Sequence, residues 1–219
     1  MSWSDSIDIY CERLGPEFWS EPINAWTNLG FIVAGILVWK RGASPVLSVL
    51  LVLIGICSFW FHTSATRWAA ALDSLAILVF ALAYLFIYLR QVLKWSSLNC
   101  WISCIFFSAL NFVFPFLFSR FSTLSLNGSE AYLPYLIVLL GFSLQAGLQK
   151  SSVRQGLWLA SFLFVISMTL RSLDEALCDR FPMGTHFIWH LCNSVMLFVL
   201  ARDLPPRTSE LSTSKSKFL

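Results

Sequence analysis

Charged residues are scarce in this sequence. Asp, Glu, Lys and Arg make up 12% of the 219 residues, whereas 57% of the residues are hydrophobic. A soluble domain typically carries about 25% charged residues, so the composition argues against a water-soluble domain and indicates a lipid environment. Aromatic residues are abundant instead, with 20 Phe and 10 Trp, as is typical of lipid-facing and interfacial positions.

A basic cluster is also missing. The 15 Lys and Arg residues lie between the hydrophobic runs, and the formal net charge is +3. A nucleic-acid-binding protein gathers its cations on one face, so we exclude nucleic acid as a partner. Residues 1–21 are polar and acidic, whereas a secretory signal begins with a basic stretch. We therefore expect the first hydrophobic segment to be retained as a membrane span.

Seven hydrophobic segments are candidates for membrane spans. A bilayer core of about 30 Å requires roughly 20 apolar residues in a helix. The segments are separated by short polar breaks and cover residues 22–39, 44–62, 69–89, 98–118, 131–149, 155–170 and 184–201.

These segments predict an all-α integral membrane protein, a seven-transmembrane-helix bundle. Residues 1–201 would form one domain that begins with a polar outer segment at residues 1–21. Residues 202–219 contain Pro, Ser, Thr and Lys, a composition that cannot bury a core. We expect them to form a disordered cytoplasmic tail.

The positions of Lys and Arg predict the orientation of the bundle. In a seven-span arrangement, five of these residues lie on the N-terminal side of the membrane and ten on the other side. Cytoplasmic loops carry an excess of Lys and Arg. We therefore expect the N-terminus outside, in the periplasm or lumen, and the C-terminus in the cytoplasm.

The segment around residues 171–178 carries two further hypotheses. Cys178 lies on the same predicted outer side as Cys11, and an oxidising compartment would allow the two to pair. Arg171 and Asp174 are three residues apart at the end of the sixth span. Residues at this spacing are neighbours on a helix surface, so we interpret them as an ion pair.

The sequence contains only three histidines, and the predicted spans place all of them at one depth. His62 ends the second span, whereas His186 and His190 begin the seventh, which starts on the same side. Because His186 and His190 are four residues apart, their rings share one helix face. Three imidazoles around zinc leave a fourth position open for water, as in a catalytic zinc site.

Two further polar residues are expected beside the histidines. Ser58 lies one helical turn before His62, and Asp73 is the only acidic residue within a span. An ionisable group at membrane depth is costly and marks a functional site. Each residue also has a structural interpretation, since Ser58 can bond to a helix carbonyl and Asp73 can cap its helix with Arg67 as ion partner. The convergence of all of these side chains favours a metal site.

The combined motifs resemble the alkaline ceramidase family. This family belongs to a wider group of seven-span hydrolase-like proteins that includes the adiponectin and progestin receptors. The resemblance covers about residues 8–200. The motifs are Ser58-Phe-Trp-Phe-His62, Asp73, His186-Phe-Ile-Trp-His190, Tyr10-Cys11-Glu12 and Glu21-Pro-Ile-Asn24-Ala-Trp-Thr-Asn28.

The resemblance implies a zinc-dependent intramembrane hydrolase that cleaves ceramide or a related N-acyl membrane lipid into a fatty acid and a long-chain amine. His62, His186 and His190 would bind zinc. Asp73 would carry the proton in catalysis, and Ser58 would support the oxyanion or the attacking water. The alternatives are hydrolysis of a different acyl lipid, and a non-enzymatic seven-span receptor or lipid-binding protein with a structural zinc. Ser58 and Asp73 favour catalysis, since a structural zinc takes four protein ligands.

The resemblance also implies a calcium site in the amino-terminal segment, with Glu12 and Glu21 as ligands. Asp8 is displaced by one residue from a matching position, and Leu14 stands where the family pattern has a polar side chain. Calcium usually takes about six to eight oxygen ligands. Two interpretations therefore stay open, a calcium site or acidic residues on a solvated segment.

Overall fold

The computed structural model describes residues 2–123 and 126–204, which form eight α-helices and one 3-10 helix with no β-strand among them. The helices are α1 (Pro22–Thr27), α2 (Leu29–Lys40), α3 (Pro45–Ser64), α4 (Arg67–Gln91), α5 (Ser97–Phe121), the 3-10 helix (Ser129–Tyr132), α6 (Leu133–Leu148), α7 (Arg154–Leu177) and α8 (His186–Asp203). The predicted all-α class is confirmed.

Prolines and serines define several helix boundaries. Pro22 and Pro45 stand in the first turn of α1 and α3, where the amide donor that proline lacks would have no helical partner. The hydroxyls of Ser44 and Ser96 accept backbone amides in the first turns of α3 and α5 and so cap these helices. Pro115 lies inside α5, as membrane helices tolerate.

Within residues 2–123 and 126–204, six helical segments are long and apolar enough to cross a membrane, which indicates a multi-pass membrane protein. They are Pro22–Lys40, in which α1 and α2 follow each other, Pro45–Ser64, Arg67–Gln91, Ser97–Phe121, Ser129–Leu148 and Arg154–Leu177.

The seventh predicted span, residues 184–201, corresponds to α8, which is not among these six. Its histidines and Asn193 lie on a largely buried face, and Arg202 and Asp203 end the helix. These polar groups lower its mean hydropathy, so the seven-span count is not confirmed by length and composition.

Large apolar side chains cover the outer surface of the helices. On α5, Phe106, Phe112 and Phe116 are 70%, 76% and 70% exposed. Soluble monomers rarely expose large contiguous apolar patches, whereas lipid chains are as apolar as these rings. The exposed faces therefore agree with a protein that spans a membrane.

The core lies between α2, α3, α4, α6, α7 and α8. Helix α8 packs against both α2 and α7, and α3 packs between α2 and α4. Buried side chains from these helices form one cluster that includes Phe31, Leu51, Phe80, Phe164 and Trp189. This packing brings the C-terminal end of α3 and the N-terminal end of α8 to the same end of the bundle.

The amino-terminal segment, residues 2–21, folds back over that end. A disulfide joins Cys11 to Cys178 across 167 positions of sequence, so the predicted pairing is confirmed. The Ile7 amide donates to the Ala65 carbonyl at 2.7 Å, which ties the segment to the α3–α4 connection. The segment therefore covers the histidines from outside the bundle.

Helix α8 continues into the segment predicted as a tail. It ends at Asp203, and Leu204 is buried. The apolar side chains of this last turn pack into the main core cluster. Residues 205–219 lie outside the described residues, so the disordered tail stays a prediction there.

Candidate metal centre

The structure brings the three histidines together. The ring centroids of His62 and His186 are 5.1 Å apart, those of His62 and His190 4.7 Å, and those of His186 and His190 4.6 Å. One potential ligand nitrogen on each ring lies within 4.8 Å of the other two. All three side chains are at most 2% exposed. They form a group that could hold a metal ion.

Two of the imidazoles are oriented by hydrogen bonds. His62 Nδ1 lies 2.6 Å from Glu21 Oε2, and its Nε2 is buried with no hydrogen-bond partner among the described residues. His190 Nδ1 lies 2.9 Å from Thr27 Oγ1, which itself donates to the Ile23 carbonyl. The Thr27 hydroxyl therefore fixes the orientation of the His190 ring. Metal-ligating histidines are held in this way.

The third imidazole is fixed by stacking and by its helix. The ring of His186 stacks on Tyr10 with centroids 3.7 Å apart. Asp174 Oδ1 accepts the backbone amides of Thr185 and His186 at 2.5 and 2.9 Å and so caps the start of α8. His186 Nδ1 is buried and unpartnered within the described ranges. Because a buried unpaired nitrogen is costly, an ion that accepts these lone pairs fits the site.

Ser58 and Asp73 lie beside the histidines, as predicted. Ser58 is 3% exposed, and its side chain interacts with the Asp73 carboxylate, which also lies in the field of His62. Asp73 Oδ1 is buried and has no hydrogen-bond partner in the described part of the chain. The alternative ion pair between Asp73 and Arg67 is not formed. Asp73 thus keeps an oxygen that can take up a proton.

A buried ion pair supports His62 from the other side. Arg13 and Glu21 are 5% and 2% exposed, and Arg13 Nε donates to Glu21 Oε1 at 2.5 Å. Arg13 Nη2 also donates to the His62 carbonyl at 3.0 Å. Burial opposes the charge on Glu21, but the hydrogen bonds from His62 and Arg13 outweigh it and hold the pKa of Glu21 below its usual value. Glu21 is therefore the anionic partner of the His62 ring.

The two predicted calcium ligands are engaged with protein groups. The Glu12 carboxylate accepts the amides of Ile23 and Asn24 at 2.6 and 2.8 Å and so caps α1. Glu21 binds Arg13 and the His62 ring. In the described part of the chain, neither carboxylate belongs to a group of three or more metal-binding side chains. The calcium site stays a prediction.

The predicted ion pair between Arg171 and Asp174 is wrong. Asp174 is fully buried, and its Oδ2 accepts the Cys11 amide at 3.0 Å. Arg171 Nη1 donates to the Asn127 carbonyl at 2.5 Å and to Ser129 Oγ at 3.1 Å. Asp174 instead accepts backbone amides at the start of α8, and Arg171 donates to a backbone carbonyl before the 3-10 helix. These backbone contacts replace an ion pair between the two side chains.

Several residues of the site were not predicted as such. Arg13, Thr27 and Tyr10 lie within or next to the amino-terminal motifs, but neither spacing nor charge reveals which histidine each would contact. Arg13 carried the strongest available signal, since it is the one cation in a polar segment that is otherwise acidic. Their roles depend on the fold-back of the segment, which local pattern does not encode.

An apolar cavity of about 100 Å³ lies next to the histidines inside the bundle. Phe31 lines the cavity and packs edge-on against the His190 ring, with centroids 6.3 Å apart. Trp189, which lies between the two histidines of α8, also lines it. Residues in contact with the histidines therefore separate the cavity from the polar centre, and Asn193 is a polar side chain in its otherwise mostly apolar wall.

Comparison with known proteins gives no relative, since no protein-family model, curated protein or solved structure matches the chain. The function is therefore inferred from the geometry of the site and from the motifs of the sequence.

Proposed function

We propose that this protein is a zinc-dependent intramembrane amide hydrolase that cleaves ceramide or a related N-acyl lipid, the activity of the alkaline ceramidase family that its motifs resemble. One observation supports the proposal most. Three buried imidazoles, with ligand nitrogens within 4.8 Å of one another, lie beside a carboxylate with an unpartnered oxygen. This combination provides both a metal-binding group and a proton acceptor.

His62, His186 and His190 would hold the zinc. When bound, zinc polarises a carbonyl and lowers the pKa of water to about 7. Among the described residues, the metal-binding group contains only these three side chains. A structural zinc takes four protein ligands, whereas a catalytic zinc keeps one position open, so the donor set favours catalysis.

Asp73 would carry out the proton transfers of the amide hydrolysis. As the oxygen of water bonds to the amide carbon, Asp73 Oδ1 accepts the proton that the water loses. As the carbon–nitrogen bond breaks, Asp73 returns this proton to the amine nitrogen. The Ser58 hydroxyl would donate a hydrogen bond to the oxygen that becomes negative. The products are a fatty acid and a long-chain amine.

The apolar lining of the adjacent cavity supports a substrate with an alkyl chain. Its wall consists mostly of aromatic and aliphatic side chains, including Phe31, Phe80 and Leu139. Ligand sites of this kind combine an apolar lining with a few polar groups that fix orientation. An acyl chain in the cavity would bring its amide group toward the histidines.

We also propose that α8 is a seventh span, with the N-terminus outside and the C-terminus in the cytoplasm. The packing of α8 between α2 and α7 and the excess of Lys and Arg on the C-terminal side support this orientation. A fluorescent protein that matures only in the cytoplasm should be fluorescent when fused to the C-terminus and dark when fused to the N-terminus. Equal fluorescence at both ends contradicts the seven-span arrangement, whereas the opposite pattern keeps the odd number of spans and contradicts the orientation.

Turnover tests the enzymatic proposal. The purified protein should release fatty acid from short- or long-chain ceramides, and a zinc chelator or His186→Ala should abolish the reaction. Added zinc should restore the chelated protein but not the variant. Ser103→Ala, at a half-buried serine of α5 that bonds only within its own helix, serves as a control that keeps full activity. Bound zinc without turnover of any amide lipid would contradict the hydrolase and favour the non-enzymatic receptor or lipid-binding protein.

A further inference from the structure

Arg171 is a buried cation that forms no direct ion pair with a described residue. Its side chain on α7 is 8% exposed. The ion pairs found in the described part of the chain involve Arg13, His62 and Arg202, and none involves Arg171. Glu130 and Asp73 interact with it electrostatically, but neither forms an ion pair with it. A buried charge without a direct partner is unfavourable, so the position of this guanidinium requires a reason.

Only one edge of the guanidinium is occupied. Nη1 donates to the Asn127 carbonyl at 2.5 Å and to Ser129 Oγ at 3.1 Å. Nη2 makes a single long contact of 3.4 Å with the Tyr10 hydroxyl, and Nε has no hydrogen-bond partner among the residues described. The edge formed by Nε and Nη2 can donate two parallel hydrogen bonds to one carboxylate. A ligand that replaces the long Tyr10 contact could bind this edge.

The guanidinium lies where the metal centre meets the apolar cavity. Its Cζ is 5.9 Å from the centroid of Tyr10, 5.5 Å from that of Tyr132 and 5.6 Å from that of Trp189. Tyr10 stacks on His186, whereas Tyr132 and Trp189 line the cavity. A chain that fills the cavity would therefore end close to Arg171.

We propose that Arg171 binds the carboxylate head of a long-chain fatty acid whose alkyl tail enters the apolar cavity and widens it. The inference rests on the proposed function in one respect, since such an acid is the product of amide hydrolysis. A neutral amide has no charge to match the guanidinium, whereas a carboxylate forms charge-assisted hydrogen bonds with both nitrogens of the open edge. Arg171 would thus recognise the acid in preference to the substrate.

Binding of palmitate to the chelated, zinc-free protein tests this inference, with palmityl alcohol as a neutral probe of the same chain. The wild-type protein should bind palmitate roughly ten- to hundredfold more tightly than the alcohol, as measured by isothermal titration calorimetry. Arg171→Gln should remove this preference and leave the affinity for the alcohol unchanged. Arg202→Gln, at an exposed arginine, is the matched control and should behave as wild type.

Two results would overturn the inference. One is equal affinity of the wild-type protein for both probes. The other is an equal loss of affinity for both probes in Arg171→Gln, which would mean that Arg171 only holds Asn127 and Ser129 in place. If Arg171→Gln does not fold, Arg171→Lys supplies the test. Lysine keeps the charge but cannot donate two parallel hydrogen bonds, so the preference for palmitate over the alcohol should decrease. An unchanged preference would contradict the paired contact.

The same experiment separates this inference from the hydrolase itself. Because zinc is removed and no bond is broken, a palmitate preference that depends on Arg171 supports the inference even if ceramide is not cleaved. Turnover of ceramide without any such preference would leave the hydrolase standing and reject the role of Arg171.

Discussion

Replacing Glu21 by Gln should weaken zinc binding and destabilise the fold through two separate contacts. The substitution keeps the size of the side chain but removes the negative charge between Arg13 and the His62 ring. In the structure, one carboxylate oxygen faces His62 Nδ1 at 2.6 Å, and the other accepts from Arg13 Nε at 2.5 Å. A neutral amide cannot serve both donors, because its nitrogen donates rather than accepts.

The magnitudes of the two effects differ. Loss of the partner that orients a metal-ligating histidine costs about 10–100-fold in metal affinity, or about 1.4–2.7 kcal/mol. Removing one member of a buried ion pair costs about 3–5 kcal/mol of stability, because the remaining charge is buried alone. Arg13→Met combined with Glu21→Gln should therefore recover part of the stability but none of the zinc affinity.

Competition with a chromophoric chelator measures the zinc affinity of each variant, and thermal unfolding measures stability. Glu17→Gln, at an exposed glutamate of the same segment, is the control and should change neither quantity. Wild-type zinc affinity in Glu21→Gln would refute the role of Glu21 as the partner of His62. Recovery of zinc affinity in the double variant would show that the lone charge of Arg13, rather than the lost carboxylate, caused the defect.

Three further substitutions give independent tests. Asp73→Asn should lower turnover by about 10²–10⁴-fold while the zinc content stays at the wild-type level, and a variant that still turns over normally would exclude Asp73 as the proton carrier. Thr27→Val should weaken zinc binding less than Glu21→Gln, because a neutral hydrogen bond contributes about 0.5–1.5 kcal/mol; a larger loss would contradict this ranking. Cys11→Ser should lower the free energy of unfolding by about 2–5 kcal/mol, and non-reducing mass spectrometry of the wild-type protein should find Cys11 joined to Cys178 rather than free.

The grouping of the histidines could be predicted because it follows from chain direction. In the predicted arrangement successive spans alternate in direction, so the end of the second and the start of the expected seventh would meet at one face of the bundle. Predicting the grouping of His62, His186 and His190 required no knowledge of side-chain packing beyond the four-residue spacing of His186 and His190. The same reasoning placed Cys11 and Cys178 on one side, where the structure joins them.

The contacts around the histidines could not be predicted from pattern. Residues 2–21 have no helical or strand periodicity, and their tertiary contacts decide that Arg13 and Glu21 meet beneath His62. Local spacing even gave the wrong partner for Arg171, because backbone groups distant in sequence bind it more favourably than Asp174 does. Local neighbours predict contacts only where no buried backbone group competes for the same side chain.

Zinc analysis of the purified protein tests the central claim most directly. Mass spectrometry of metals should find about one zinc ion per chain, as expected for a single three-histidine site. The variant in which His62, His186 and His190 are all alanine should hold none while its circular dichroism shows the same helix content. Absence of zinc from the wild-type protein after zinc is supplied, or equal zinc in the triple variant, would contradict the account.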